Sequence, residues 1–142
     1  MRRHHAQTAI LLLACLGAVL LAAGCRSAPP VTMEGLSAAE IFQRAQDAAE
    51  KGDSLAAVRY YEAFKEKRPD DRERVAWASY EIALLYHKMK KDETSLLLLD
   101  ELLAQYAKEG DAMPAAPRIL AENLKTRLQS KAAPKAAPKT EP

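Results

Sequence analysis

Cysteine and histidine are scarce in this chain, and their scarcity removes most of the residues that catalysis uses. Cys15 and Cys25 are the only cysteines among 142 residues, and His87 is the only histidine after them. A disulfide framework, a thiol or histidine nucleophile with its partner base, and a zinc site all need more such residues. We therefore expect a protein that is not an enzyme, has no metal or cofactor, and is held together by packing alone.

Glycine is also scarce, and beyond the first few residues neither positive nor negative charge is in excess. Only Gly52 and Gly110, of five glycines, fall between residues 37 and 131. That segment lacks a sustained alternation of apolar and polar residues and instead repeats apolar residues at spacings of three and four, which is typical of α-helices. The formal net charge of +2 is carried by Arg2 and Arg3, and the remaining 19 basic and 19 acidic residues argue against a nucleic-acid partner.

The longest apolar run lies at the N-terminus and is too short for a permanent membrane span. It covers 15 residues, Ala9–Ala23, after the positive start Met1-Arg-Arg. As a helix it reaches ~22 Å, whereas the hydrocarbon core of a bilayer is about 30 Å thick. A positive start, a short apolar run and small residues before a cleavage site are typical of a secretory signal. Residues 1–24 are therefore predicted to be a signal peptide, with a transmembrane helix as the alternative.

Leu21-Ala22-Ala23-Gly24-Cys25 resembles the lipobox of bacterial lipoproteins, although Ala22 replaces the leucine that the motif prefers. The resemblance implies that Cys25 receives a lipid, becomes the new N-terminus and holds the protein at a membrane. Arg26, in place of aspartate, favours the outer membrane, facing the periplasm. The alternative is a plain secreted protein with one leftover thiol. Residues 25–36 are predicted to be a flexible tether, because paired prolines favour an extended path.

Residues 37–131 are predicted to form one helical domain, and about residues 38–107 of it resemble tetratricopeptide repeats, in which each repeat is a pair of helices. Ser37-Ala-Ala-Glu40 is a capping box that begins the first helix. The first repeat spans residues 38–69. It has small residues where its helices cross (Ala45 and Ala57), a glycine in the turn (Gly52), a large residue that fills the core (Tyr61) and a proline at its end (Pro69). Phe64 departs from the pattern, which has a small residue at its position.

A weaker second copy spans Tyr80–Tyr106, and Lys90 stands where its turn is expected to carry glycine. The matching positions are Ile82, Ala83, Tyr86, Ser95, Leu99 and Leu102. Residues Asp70–Val75 lengthen the connection between the two copies. This combination is similar to the periplasmic lipoprotein subunit of the outer-membrane β-barrel assembly machinery, and to the repeat domain of a cell-division coordinator.

A capping helix and a tail complete the predicted organisation. Pro114 and Pro117 mark a helix start, and an apolar stripe on that helix would cover the last repeat: Leu120, Leu124 and Leu128. The predicted fold class is all-α, with two tetratricopeptide-like hairpins plus a C-terminal capping helix in a short α-solenoid over residues 37–131. Residues 132–142, rich in alanine, proline and lysine, are predicted to be a disordered tail.

The repeat resemblance also implies a binding groove along the first helix of each pair. Its positions in this chain are Phe42, Gln46, Trp77, Tyr80, Leu84 and His87. Aromatic residues on one face are typical of interface anchors. The alternative is that Trp77 and Tyr80 are core residues, since an error of one residue in the helical register exchanges the two sets. Leu97, with Leu98, is a further candidate contact on the outer face of the second pair.

These patterns favour a binding protein over a catalyst. We expect a lipid-anchored adaptor of the bacterial cell envelope that docks a protein or peptide partner through the groove, in a process such as outer-membrane protein assembly. One alternative is a self-associating structural lipoprotein, since two repeats are fewer than the roughly three that independent stability usually needs. Another is an accessory subunit of a cell-wall enzyme.

Overall fold

The computed structural model describes residues 31–132, and this part of the chain is all-helical. Its five α-helices are α1 (Ala38–Glu50), α2 (Ser54–Lys67), α3 (Arg72–Lys88), α4 (Asp92–Glu109) and α5 (Ala115–Ala132), with a 3₁₀ turn at Gly110–Ala112. No strand occurs in these residues, so the predicted all-α class is confirmed. The signal peptide, Cys25 with the start of the tether, and the tail after Ala132 lie outside the described residues.

Side chains at the helix starts explain where the first three helices begin. Ser37 and Glu40 form the predicted capping box: the Ser37 Oγ accepts the Glu40 N–H over 3.3 Å, and the Glu40 carboxylate accepts the Ser37 N–H over 2.8 Å. The Ser37 hydroxyl also donates to the Glu40 carboxylate over 2.7 Å, and this bond, followed by the one from the Ser37 N–H, lowers the pKa of Glu40. Asp53 and Asp71 cap α2 and α3 in the simpler way, each accepting one backbone N–H of the first turn.

The turns that close α1–α2 and α3–α4 have the same backbone geometry. Gly52 has φ +82°, and Lys90, where the repeat pattern predicts glycine, has φ +63°. The Asp53 N–H donates to the Ala48 carbonyl over 2.9 Å, and the Lys91 N–H donates to the Tyr86 carbonyl over 3.0 Å. Both turns thus end a helix with a left-handed residue and a bond spanning five residues. In the second turn the left-handed residue is a lysine, whose Cβ disfavours that backbone conformation.

Lys90→Gly is therefore expected to stabilise the protein by about 0.5–1 kcal/mol, because glycine removes the left-handed strain at some cost in unfolded-state entropy. Chemical denaturation measures the change. Lys91→Gly is the matched control, since Lys91 has φ −99° and carries no such strain. A Lys90→Gly protein that is less stable than the parent would show that the lysine side chain has a stabilising role in this turn.

Consecutive helices pack against each other along the chain, and α5 also contacts α3. Small residues allow the close crossings: Ala45 and Ala57 are fully buried between α1 and α2. At the α3–α4 crossing, the buried Ser95 hydroxyl donates to the Ala83 carbonyl over 2.8 Å. This bond satisfies a polar group that would otherwise be costly in the core. Residues of α3 divide between two core clusters and so join the two halves of the domain.

The buried face of α5 differs from the predicted stripe by part of a turn. Leu124 and Leu128 are buried as expected, but Leu120 is 38% exposed, so its place in the stripe was wrong. Pro117 and Ala121 are buried instead. A spacing of four residues drifts by about 40° per step around a helix, so residues that keep this spacing move steadily off the packed face. The face that packs follows the alternating spacing of four and three.

Candidate binding groove

A groove runs between α1 and α3, with α2 beneath it. Two adjoining cavities of about 350 Å³ and about 370 Å³ form it, and both are lined by Gln46, Tyr61 and Glu81. Phe42, Arg74 and Trp77 line the first cavity as well. The second cavity continues to the C-terminal ends of both helices, at Glu50 and Lys88. We call this surface the α1–α3 groove.

Two aromatic side chains line the walls of the groove while being held from the core side. The Phe42 ring packs edge-on against Tyr61 and Phe64, with centroids 5.2 Å and 5.1 Å away. Trp77 packs edge-on against Tyr80 at 6.4 Å. Phe42 and Trp77 are both only half-buried. Rigidly supported aromatic rings that remain partly exposed have little conformational entropy left to lose on binding, which suits them as anchors.

The middle of the groove holds a carboxylate that lacks an ion pair. Glu81 is half-buried, and burial raises its pKa, against the weaker lowering effect of the Lys88 charge. Within residues 31–132 no cation lies within salt-bridge distance of Glu81. Burial, and then the charge of Glu81, raise the pKa of Tyr61, which accordingly stays neutral.

Arg74, at the edge of the groove, is already paired. Its Nη1 lies 2.7 Å from the Asp71 carboxylate, one turn before it on α3. Hydrogen bonding to Arg74 lowers the pKa of Asp71. The Arg74 charge is therefore largely balanced locally, so Arg74 does little to offset Glu81 further along the groove.

The structure separates the six predicted groove residues into two groups. Phe42, Gln46 and Trp77 line the α1–α3 groove together. Tyr80 is only 8% exposed and belongs to the second core cluster, against which Leu84 also packs. The burial of Tyr80 matches the core alternative for that residue.

His87 lies on the α5 side of α3, away from the groove. Its Nδ1 is 2.7 Å from the Asp92 carboxylate, whose other oxygen is 3.4 Å from the Lys131 ammonium. The hydrogen bond with His87 is the largest cause that lowers the pKa of Asp92. His87 thus ties the α3–α4 turn to the end of α5.

Sequence reasoning missed Tyr61, Arg74, Glu81 and Lys88 as groove residues. The repeat pattern predicts Tyr61 only as a core residue. It is buried, and its side chain also lines the floor of both cavities. Glu81 lies four residues after Trp77, so it shares a helix face with that tryptophan. The spacing from Trp77 was the only signal in the sequence that Glu81 lies in the groove. Many other charged residues lie on the same helices, so the spacing alone gave no reason to select Glu81 as a groove residue.

The two leucines proposed for an outer contact have different environments. Leu97 is 59% exposed, as its predicted place on the outer face of α4 requires. Leu98 is half-buried and packs against both core clusters. Of the pair, only Leu97 presents most of its side chain to solvent. Leu55 and Ile119, on α2 and α5, are exposed to a similar degree.

Neither a metal centre nor a known relative adds to this description of the groove. In residues 31–132, no group of three or more histidine, cysteine or acidic side chains is arranged to hold a metal ion. No helix of that same segment is long and apolar enough to cross a membrane. Comparison of the chain with protein-family models, with curated proteins and with solved structures finds no match.

Proposed function

We propose that this protein is a lipid-anchored adaptor of the bacterial cell envelope that docks an extended peptide segment of a partner protein in the α1–α3 groove. In this proposal α1–α2 and α3–α4 are two tetratricopeptide-like hairpins, and α5 caps the second. The matching left-handed turns at Gly52 and Lys90 support the pairing of the helices. The additional contact of α5 with α3 supports its role as the cap.

The observation that carries the proposal is the groove itself. It is an elongated cleft between two helices, and Phe42 and Trp77 on its opposite walls are half-buried. Binding sites are usually concave and combine apolar or aromatic side chains with convergent polar groups, as Phe42 and Trp77 are combined here with Glu81. A segment in extended conformation suits a cleft whose lining runs from Phe42 to Glu50 along α1 and from Glu73 to Lys88 along α3.

The anchor in this proposal is the lipid on Cys25, supported by the lipobox-like residues Leu21–Cys25. Only a short stretch of chain separates Cys25 from the domain, because Met33 already belongs to the core and is 6% exposed. A lipid and a short tether would keep the groove close to the membrane surface. The adaptor would thereby raise the local concentration of its partner there.

Blocking the groove tests the adaptor function. Gln46 is exposed and lines both cavities, so Gln46→Trp fills the cleft without removing a core contact. The mature chain carrying this change is expected to capture at least about tenfold less partner from an envelope extract. Gln43→Trp is the matched control: Gln43 is exposed on the same helix and lines neither cavity. Equal capture by the two variants would contradict the proposal.

Self-association is the second candidate function, and the exposed Leu97 favours it. A leucine that is 59% exposed, on a helix face that it shares with Glu93, Glu101 and Ala104, can pack against a second copy. In the same experiment, a captured species with the mass of this chain itself would identify the protein as a structural oligomer. A captured species of different mass would identify it as an adaptor.

A further inference from the structure

We infer that the partner segment inserts a lysine or arginine side chain into the α1–α3 groove, between Phe42 and Trp77 and against the Glu81 carboxylate. This inference rests on the proposed adaptor function and adds the chemistry of the occupant. The occupant is an extended peptide segment with one cationic residue among small or apolar ones.

The first argument is the state of Glu81. A half-buried carboxylate has lost part of its hydration, and such groups are normally paired or hydrogen-bonded. Glu81 has no salt-bridge partner in residues 31–132, and Lys88 acts on it only from a distance. An incoming ammonium or guanidinium group would supply the missing partner in a site with less solvent screening than the protein surface.

The second argument is what surrounds the carboxylate. Phe42 and Trp77 line the same cavity as Glu81, and their partly exposed rings can contact the methylene stem and the charge of a cationic side chain. Tyr61 lines the floor, where its hydroxyl can donate or accept a hydrogen bond. A carboxylate, aromatic walls and a hydroxyl together suit a long cationic side chain better than an aliphatic one.

The third argument is the charge balance along the groove. Glu50, Glu73 and Glu81 line its two cavities. Of the two cations that also line them, Arg74 is bound to Asp71, which leaves Lys88 alone at one end. The groove is therefore net acidic, and an acidic cleft between low-dielectric walls attracts and orients a cationic ligand.

The test uses Trp77, the only tryptophan of the chain, as a reporter that lies in the site. The probes are alanine- and proline-based peptides, identical except for a central lysine, arginine, norleucine or glutamate. Added to the mature chain with Cys25→Ala, the lysine and arginine peptides are expected to change the Trp77 emission with a Kd at least about tenfold lower than that of the norleucine peptide. The glutamate peptide is expected to bind most weakly.

Glu81→Gln is expected to abolish the preference for lysine over norleucine without lowering the melting temperature, because Glu81 forms no ion pair within residues 31–132 that the fold would lose. Glu93→Gln, an exposed carboxylate on α4, is the matched control and should keep the preference. If the lysine and norleucine peptides bind equally, or if Glu81→Gln keeps the preference, the inference is wrong. The adaptor function would still stand if Gln46→Trp reduces capture, so the two failures are distinguishable.

The chain itself offers a competing occupant, because Lys135 and Lys139 lie in its alanine- and proline-rich C-terminal segment. Lys131, at the end of α5, lies 3.4 Å from Asp92, so the segment that carries these lysines continues from a point close to the α3–α4 turn. Removing residues 133–142 therefore separates the two occupants. Unchanged binding of the lysine peptide supports a partner segment. Binding that becomes about tenfold stronger would assign the groove to the chain's own tail and overturn the partner assignment.

Discussion

Cys25→Ala is expected to release the protein from membranes completely while the helical domain remains folded. In the proposed lipoprotein, one cysteine carries every acyl chain of the anchor. Each buried acyl CH₂ contributes about 0.8 kcal/mol, and two or more chains give stable anchoring where a single chain gives only reversible binding. The mature chain, with 19 basic and 19 acidic residues, has no net charge with which to hold anionic lipid instead. Membrane fractionation with carbonate extraction measures the release, and circular dichroism checks the fold.

Cys15→Ala provides the matched control for the anchor. Cys15 lies within the apolar run that the signal peptidase would remove, so its replacement is expected to leave the mature protein and its membrane association unchanged. Mass spectrometry of the N-terminal peptide would show acyl chains on Cys25 in this control. A Cys25→Ala protein that still resists carbonate extraction after residues 1–24 have been cleaved off would contradict the lipoprotein proposal.

The helical framework was predictable because local signals and periodicity agreed. The capping box at Ser37 and Glu40 begins α1 as predicted. The fully buried Ala45 and Ala57 lie where the repeat pattern places its small residues. At Lys90 the position in the predicted pattern was more informative than the residue type: glycine is missing there, yet the backbone adopts the left-handed conformation that glycine would favour. Packing of the flanking helices thus determines the turn even against a local preference.

The groove was predictable only in part, because helix periodicity fixes faces less finely than a binding site requires. Trp77 and Tyr80 are three residues apart, about 60° around a helix, and this angle is enough to place one on the groove and the other in the core. The position of Glu81 in the groove could not be predicted from its spacing along α3 alone, because that position also depends on the distance between α1 and α3. That separation is set by aromatic packing at the floor of the groove, which no single segment encodes.

Phe64 supports that floor, and Phe64→Ala is expected to lower the free energy of unfolding by about 3–5 kcal/mol. Phe64 is fully buried, and it departs from the repeat pattern at a position where the pattern has a small residue. Its ring lies 5.1 Å from that of Phe42, centroid to centroid, so its removal opens a cavity directly beneath a wall of the groove. For a domain of this size the melting temperature should fall by at least about 12 °C.

Leu55→Ala on the same helix is the control for Phe64→Ala, because Leu55 is 50% exposed and its truncation leaves no enclosed cavity. The conservative Phe64→Leu should fall between the two in melting temperature. It should also weaken binding of the lysine peptide, since Phe42 loses the edge contact that holds its ring at the groove wall. A Phe64→Ala protein that melts like Leu55→Ala would mean that the aromatic floor is dispensable, and the anchoring of Phe42 from beneath would then be wrong.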